Sequence, residues 1–334
     1  MSVQIWLNRI WYDRAAPPWW LLPLSLAYGA ATAASRLLYS KRLRKSTRLA
    51  VPVVVVGNLS VGGTGKTPLV CWLVAGLGAL GFKPGVVTRG YGGSSSQVRL
   101  IGTADDPGTA GDEPILLARR TGVPVAAGRN RPAAAQLLVN AGCDVIVSDD
   151  GLQHHALARD CEIIVVDGDR GFGNGRLLPA GPLREMPARL TAADAVVVNG
   201  GRTPVDGAFS MRLDATSAVR LIGGAAVPLD RFAAQSVHAV AGIGNPERFF
   251  SMLRGYGIVV TGHPLRDHAR LTEADICFAD GRPVLMTEKD AVKCAKIAGP
   301  HHWYVPVSAS FDGGQSAALL DIVTEAMVRR AARP

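Results

Sequence analysis

The chemistry-bearing residues of this chain begin in the run Gly57-Asn58-Leu59-Ser60-Val61-Gly62-Gly63-Thr64-Gly65-Lys66-Thr67. A β-branched segment at 52–56 leads into it, and an apolar helical stretch at 69–80 leads out. Glycines let backbone N–H groups curl around phosphate oxygens, and the following helix points its positive end at them. Lys66 can reach the β- and γ-phosphates of a nucleotide, and Thr67 can ligate Mg²⁺. Ser60 to Thr67 therefore form a candidate ATP site, with Ser60 standing where the usual pattern has its first glycine.

A second group of candidates ends another apolar strand, Asp144-Val145-Ile146-Val147-Ser148-Asp149-Asp150, which continues into Gly151-Leu152-Gln153-His154-His155. Carboxylates at the carboxyl end of a strand beside a phosphate loop can hold Mg²⁺, directly or through water. Adjacent residues point to different sides, so one of Asp149 and Asp150 is expected to serve the metal. The bland alternative is a solvated turn after a strand. His154 and His155 read as the end of that turn, since no third ligand lies at a useful spacing. Asp112 is open between two roles: a cap for a helix over 113–120, or a general base. Arg89, Arg129 and Arg131 are either surface charges or fork contacts to phosphate.

Further apolar strands at 85–88, 161–168 and 195–198 alternate with helical stretches at 113–120 and 133–141. Such alternation indicates a parallel sheet covered on both faces. The fold class is thus α/β, a P-loop NTPase-type sheet sandwiched by helices, at 49–205. Residues 209–213 and 218–222 predict a hairpin linker at 206–224. A fresh strand-loop-helix unit from 236, strands at 257–261, 283–287 and 303–307, and a last helix near 315–330 predict a smaller α/β lobe at 225–334.

The chain's 334 residues carry a formal charge of +9, which raises nucleic acid as a partner until the charge is located. Residues 1–48 hold eight Lys/Arg and one acid, while the other 286 residues carry a net charge of only +2. A nucleic-acid binder would carry its basic stripe on the folded body, so that class is set aside. The same segment holds four of the six tryptophans and an uncharged run from Ala15 to Ser35, followed by Lys41, Arg42, Arg44, Lys45 and Arg48. Indole rings favour the headgroup level and basic clusters an anionic leaflet. A cleaved signal, a spanning helix and a helix packed on the body are alternatives. Pro17, Pro18 and Pro23 interrupt a span, so a helix lying in the interface fits best. Five separated cysteines, at 71, 143, 161, 277 and 294, predict buried reduced thiols rather than a disulfide framework. No obligate protein partner is evident.

Taken together, these motifs resemble the tetraacyldisaccharide 4′-kinases, the lipid A 4′-kinases of Gram-negative bacteria. The resemblance runs through Gly62-Gly63-Thr64-Gly65-Lys66-Thr67-Pro68, Arg89-Gly90-Tyr91-Gly92, Gly111-Asp112-Glu113-Pro114 and Gly128-Arg129-Asn130-Arg131. It continues in Asp149-Asp150-Gly151-Leu152-Gln153-His154, Pro179-Ala180-Gly181-Pro182-Leu183-Arg184-Glu185, Asp267-His268 and Thr287-Glu288-Lys289-Asp290. It implies transfer of the ATP γ-phosphate to the 4′-hydroxyl of a tetraacylated disaccharide 1-phosphate. It also implies Mg²⁺ near Thr67, Asp149 and Asp150, and Asp112 as base paired with His268. Tyr91 with Arg129 or Arg131 would line the substrate and phosphate region. The implied location is the cytoplasmic face of the inner membrane, peripheral or monotopic through residues 1–48. The Arg266-Asp267-His268-Ala269 stretch departs from the family, where aromatic or further polar neighbours are common. The competing class is a membrane-tethered P-loop ATPase or GTPase switch. Val61 stands where partitioning ATPases carry a signature lysine, and Thr287-Glu288-Lys289-Asp290 only faintly resembles a guanine-reading motif.

Overall fold

A computed structural model describes residues 3–13, 15–90, 92–93, 97–201, 205–267 and 269–331. Eight strands build most of the first sheet: β1 (Val53–Gly57), β2 (Pro84–Thr88), β3 (Arg99–Ile101), β4 (Val125–Ala127), β5 (Val145–Asp149), β6 (Cys161–Asp167), β7 (Ala195–Asn199) and β8 (Phe209–Asp214). A second sheet takes β9 (Ser217–Arg220), β10 (Ala226–Pro228), β11 (Ser236–Ala241), β12 (Val259–Pro264), β13 (Val284–Thr287) and β14 (His302–Val305). The chain then returns, and β15 (Ser308–Phe311) completes the first sheet in the order β15-β8-β7-β6-β1-β5-β2-β4-β3.

The strands from β8 across to β4 run parallel, with antiparallel β3 and β15 at the two edges. β1, β2, β5 and β6 are buried along their whole length, as the unbroken Val/Ile runs predict for a sheet covered on both faces. One face is covered by α3 (Lys66–Ala79), α5 (Asp112–Thr121) and α10 (Gln315–Ala331), the other by α6 (Arg131–Asn140). The single-turn α4 (Pro107–Ala110) precedes α5, and the N-terminal pair α1 (Val3–Tyr12) and α2 (Leu21–Ser40) precedes β1. Leu69, Val70, Leu73, Val74 and Leu77 give α3 its buried stripe, at the helical repeat. The smaller lobe packs α7 (Pro246–Gly255), α8 (Glu273–Ile276) and α9 (Glu288–Cys294) around its own sheet.

Two expectations are corrected. The stretches at 209–213 and 218–222 do not pair as a hairpin: β8 joins β7 and β15, whereas β9 joins β10 and β14. The chain changes sheets at Ala215-Thr216, so the short turn read between them is a crossing between lobes. Nor does the smaller lobe keep everything after 225, because β15 pairs with β8 and α10 packs on the first sheet. Of the cysteines, Cys143, Cys161 and Cys294 are buried as expected, Cys71 is partly covered, and Cys277 is exposed after the last turn of α8.

The N-terminal helices rest on the segment 172–182. Trp11 Nε1 donates to Pro179 O at 3.0 Å, and Asn174 Nδ2 reaches Ile10 O at 3.2 Å. Ile10, Trp11, Leu21 and Ala180 form a small core there. The outer side of α2 is apolar and bare, with Leu24 52% and Leu26 76% exposed, and Trp19 in the turn before it is 80% exposed.

Candidate active site

The carboxyl end of β1 delivers the chain into the phosphate loop, and α3 opens on Lys66. Gly65 caps α3 in the left-handed region, with φ of 94°. Any Cβ there would run into the Asn199 amide, which donates to Thr64 O at 3.0 Å, so glycine is required on two counts. Ser60 needs no such freedom. It sits in a bridge opposite Leu183, in backbone that any residue can adopt. Val61 to Thr67 line the cleft, whereas Ser60 is buried behind them. Val61 N donates to Pro182 O at 2.8 Å and Arg184 N to Leu59 O at 2.6 Å, which braces the first half of the loop.

Both acids predicted at the strand end are there, in different circumstances. Asp149 closes β5 and is 2% exposed, and its Oδ1 has no hydrogen-bond partner among the described residues. Burial first, then the Glu113 charge, pushes its carboxyl up to about 7. Asp150 follows in the left-handed region, φ 49°. Its Oδ1 lies 3.5 Å from Lys66 Nζ, and Arg184 Nη1 meets both its oxygens at 3.0 and 3.1 Å. Burial works against ionisation here too, but the Lys66 and Arg184 charges outweigh it and hold the Asp150 carboxyl well below the usual range. Gln153 accepts from Arg184 Nη1 at 3.3 Å and donates to Asn58 O at 3.2 Å, which ties this turn to the phosphate loop.

The cleft above measures about 1460 Å³ and is walled by both lobes and by the N-terminal helices. Arg89, Arg129, Arg131, Arg170 and Arg184 line it together with Lys66. Arg131 is no surface charge: it is 3% exposed, and its Nη1 donates to Ser148 Oγ at 2.8 Å. Such a concentration of guanidinium groups fits phosphate oxygens. Tyr91 and His268 lie outside the described residues.

Asp112 is buried as the first residue of α5, with Gly111 as the N-cap. Its Oδ1 accepts from Glu113 N at 3.0 Å, the adjacent amide rather than one a turn onward, so the cap reading is not realised. Glu113 forms the cleft wall at this point, while Asp112, the residue before it, is 4% exposed and not part of that wall.

From the smaller lobe, the loop after β11 lies over the phosphate loop. A Cβ on Gly244 would stand 2.5 Å from Gly63 N, so only glycine allows this approach. Arg248 of α7 crosses to Asp167 and Asp169 at 2.6 Å each, at the end of β6.

The model of the family described as tetraacyldisaccharide-1-P 4′-kinase matches residues 17–326. The chain belongs to this family. It is similar to the tetraacyldisaccharide 4′-kinase of Methylobacillus flagellatus, at 47% identity over 98% of each chain. It is likewise similar to that of Alkalilimnicola ehrlichii, at 50% identity over 91% of this chain and 92% of the other. Among solved structures it matches LpxK from Aquifex aeolicus in complex with ATP, with a TM-score of 0.76, 28% identity and coverage of 92% and 98%. As a tetraacyldisaccharide 4′-kinase, the chain phosphorylates the 4′-hydroxyl of the lipid A precursor with ATP as donor, and Mg²⁺ is the usual cofactor of such a kinase.

The switch reading gives way to this assignment. Thr287 caps α9 by accepting from Asp290 N, and the Asp290 carboxylate, fully buried, takes Gly242 N at 2.8 Å and the Thr287 hydroxyl at 2.6 Å. An aspartate so enclosed braces its lobe and reads no base. The cleft is also lined by residues to which sequence reasoning gave no site role. Arg184 and Gln153 were visible only as members of a motif. His154 lines the cleft with its buried Nε2 unpartnered among the described residues. Burial, followed by the charges of Arg131, Arg159 and Arg89, lowers its pKa to about 4, so it is neutral near pH 7. No local spacing marks these roles, since each depends on which strands lie side by side.

Proposed function

We propose that phosphoryl transfer in this kinase is divided among four groups of its own residues. Lys66 and the loop amides from Val61 to Thr67 hold the β- and γ-phosphates of ATP. Asp149 and Thr67 hold Mg²⁺, while Asp150 keeps Lys66 and Arg184 in place. The buried Asp149 Oδ1 carries the metal assignment: it has no hydrogen-bond partner among the described residues and belongs to the cleft wall that Lys66 and Thr67 also line, where a cation would complete it. Bound there, Mg²⁺ would neutralise charge on the transferring phosphoryl group. Arg129, Arg131 and Tyr91 take phosphate and sugar oxygens of the lipid. Asp112, with His268 as its partner, accepts the proton of the 4′-hydroxyl as the new P–O bond forms.

The acceptor enters from the side of α1 and α2. Leu7, Trp11 and Tyr28 form that wall of the cleft, so an acylated disaccharide can keep its chains against apolar helices while the sugar reaches the phosphate loop. By length and composition alone α2 could cross a bilayer. Its contacts favour an interfacial position: Ser25 Oγ donates to Leu177 O at 2.8 Å, Arg36 lies 3.8 Å from Glu185, and Tyr39 packs 5.8 Å from the His155 ring. A helix bound to one globular body along its length lies beside the membrane rather than through it. The basic cluster at 41–48 then favours the anionic cytoplasmic leaflet of the inner membrane.

The test is transfer of labelled phosphate from ATP to tetraacyldisaccharide 1-phosphate. Asp149→Asn should lower turnover by about 10²–10³-fold and raise the Mg²⁺ concentration giving half the maximal rate. An Asp149→Asn enzyme with the parent's rate and Mg²⁺ dependence would overturn the metal assignment.

A further inference from the structure

Lys289 stands in the first turn of α9, and its ammonium meets two carboxylates, one in the loop after β12 of its own lobe and one on α5 across the junction. Glu113 Oε1 lies at 3.0 Å and Asp267 Oδ1 at 2.9 Å. Glu113 directly follows Asp112 in the chain, and Asp267 directly precedes His268. The side chain is 14% exposed, so solvent screens these contacts far less than it does the surface pairs of the molecule. Without a cation between them, the two acids would face one another as like charges across the lobe junction.

We propose that Lys289 is a positioning residue for the phosphoryl transfer, clamping the Asp112 end of α5 to the Asp267 loop so that the base is aligned only when the lobes are engaged. This rests on the reading of Asp112 as base. The clamp sits among Asp112, Glu113 and Arg120 of α5, Arg266 and Asp267 of the loop after β12, and Glu288, Asp290 and Lys293 of α9. Arg120 is already occupied, pairing with Glu288 at 3.3 Å and donating to Val307 O at 2.9 Å. Burial works against the Lys289 charge, yet the Glu113, Asp267 and Asp112 carboxylates more than offset it. The attraction is mutual, so the ammonium favours the ionised form of Asp112, the form that accepts a proton. Lys296 offers a contrast. It pairs with Asp106 at 3.1 Å between the same lobes, but it is 83% exposed.

The experiment measures kcat, KM for ATP and the pH dependence of kcat in the full-length enzyme. Lys289→Met should lower kcat by about 10–100-fold, leave KM for ATP within about twofold, and move the acid limb of the profile to higher pH. Lys289→Arg keeps the charge, so its acid limb should stay at the parent's pH. Lys296→Met should match the parent throughout. A Lys289→Met enzyme of parental thermal stability with unchanged kcat and acid limb would overturn the clamp. So would a Lys289→Met loss confined to KM for ATP. Asp112→Asn turning over at the parental rate would instead remove the base reading on which the clamp depends.

Discussion

Lys66 of the phosphate loop and Asp150 after β5 are bound as a pair, the ammonium 3.5 Å from a carboxylate that Arg184 also holds at 3.0 Å. The two adjacent acids at the end of β5 thereby differ in their surroundings. Asp150 spends its charge on two cations of the protein, and Asp149 keeps a bare oxygen inside the cleft.

Replacing the lysine removes the charge proposed to meet the triphosphate and leaves Asp150 paired with Arg184. Lys66→Met should therefore reduce phosphate transfer by at least about 10³-fold while the chain stays folded. Labelled-lipid formation beside a thermal melt checks both halves of the statement.

Much of this arrangement could be read from the chain before any coordinates. The Val53–Val56 run, the glycine loop and the stripe of α3 are local patterns, and each maps onto a single element. The acids at 149 and 150 were legible for the same reason, as polar residues ending an apolar run. What stayed hidden is non-local. Ser308–Phe311 is four residues without a distinctive pattern, and it becomes an edge strand only because β8 presents a free edge. The supposed hairpin failed because two well-formed strands carry no signal of which neighbour each will choose. Arg184 binds Asp150 across 34 positions of sequence, a partnership set by the bridge between Ser60 and Leu183. Ser60 itself looked like a defect in the loop until that bridge explained it.

His154 gives a pH test. Its pKa is lowered to about 4, below the 6.5 of an unfolded histidine, so the folded state binds fewer protons than the unfolded one between those values. Its contribution to stability is complete above about pH 6.5 and is lost as pH falls through about 4. His154→Gln cannot take up that proton. Thermal melts from pH 7 to pH 4 should thus show the variant losing less stability than the parent over this interval, by a few degrees. Parallel curves would mean that His154 titrates normally.

The bare face of α2 should be the membrane contact. Leu24 and Leu26 are 52% and 76% exposed, so polar substitutions there leave the protein core intact. Burying a leucine is worth roughly 1.5–3 kcal/mol, so Leu24→Ser with Leu26→Ser should weaken binding to anionic vesicles by at least about tenfold. Sedimentation with vesicles provides the readout, and unchanged binding would place the contact elsewhere.

The most direct measurement is a single-turnover rate of phosphate transfer from ATP to tetraacyldisaccharide 1-phosphate by Asp112→Asn, taken together with its ATP dissociation constant. A positioned base contributes about 10²–10⁴-fold, so transfer should slow by that factor while ATP binds as it does to the parent. Transfer at the parental rate would contradict the assignment of the proton-accepting group and the account of the site built around it.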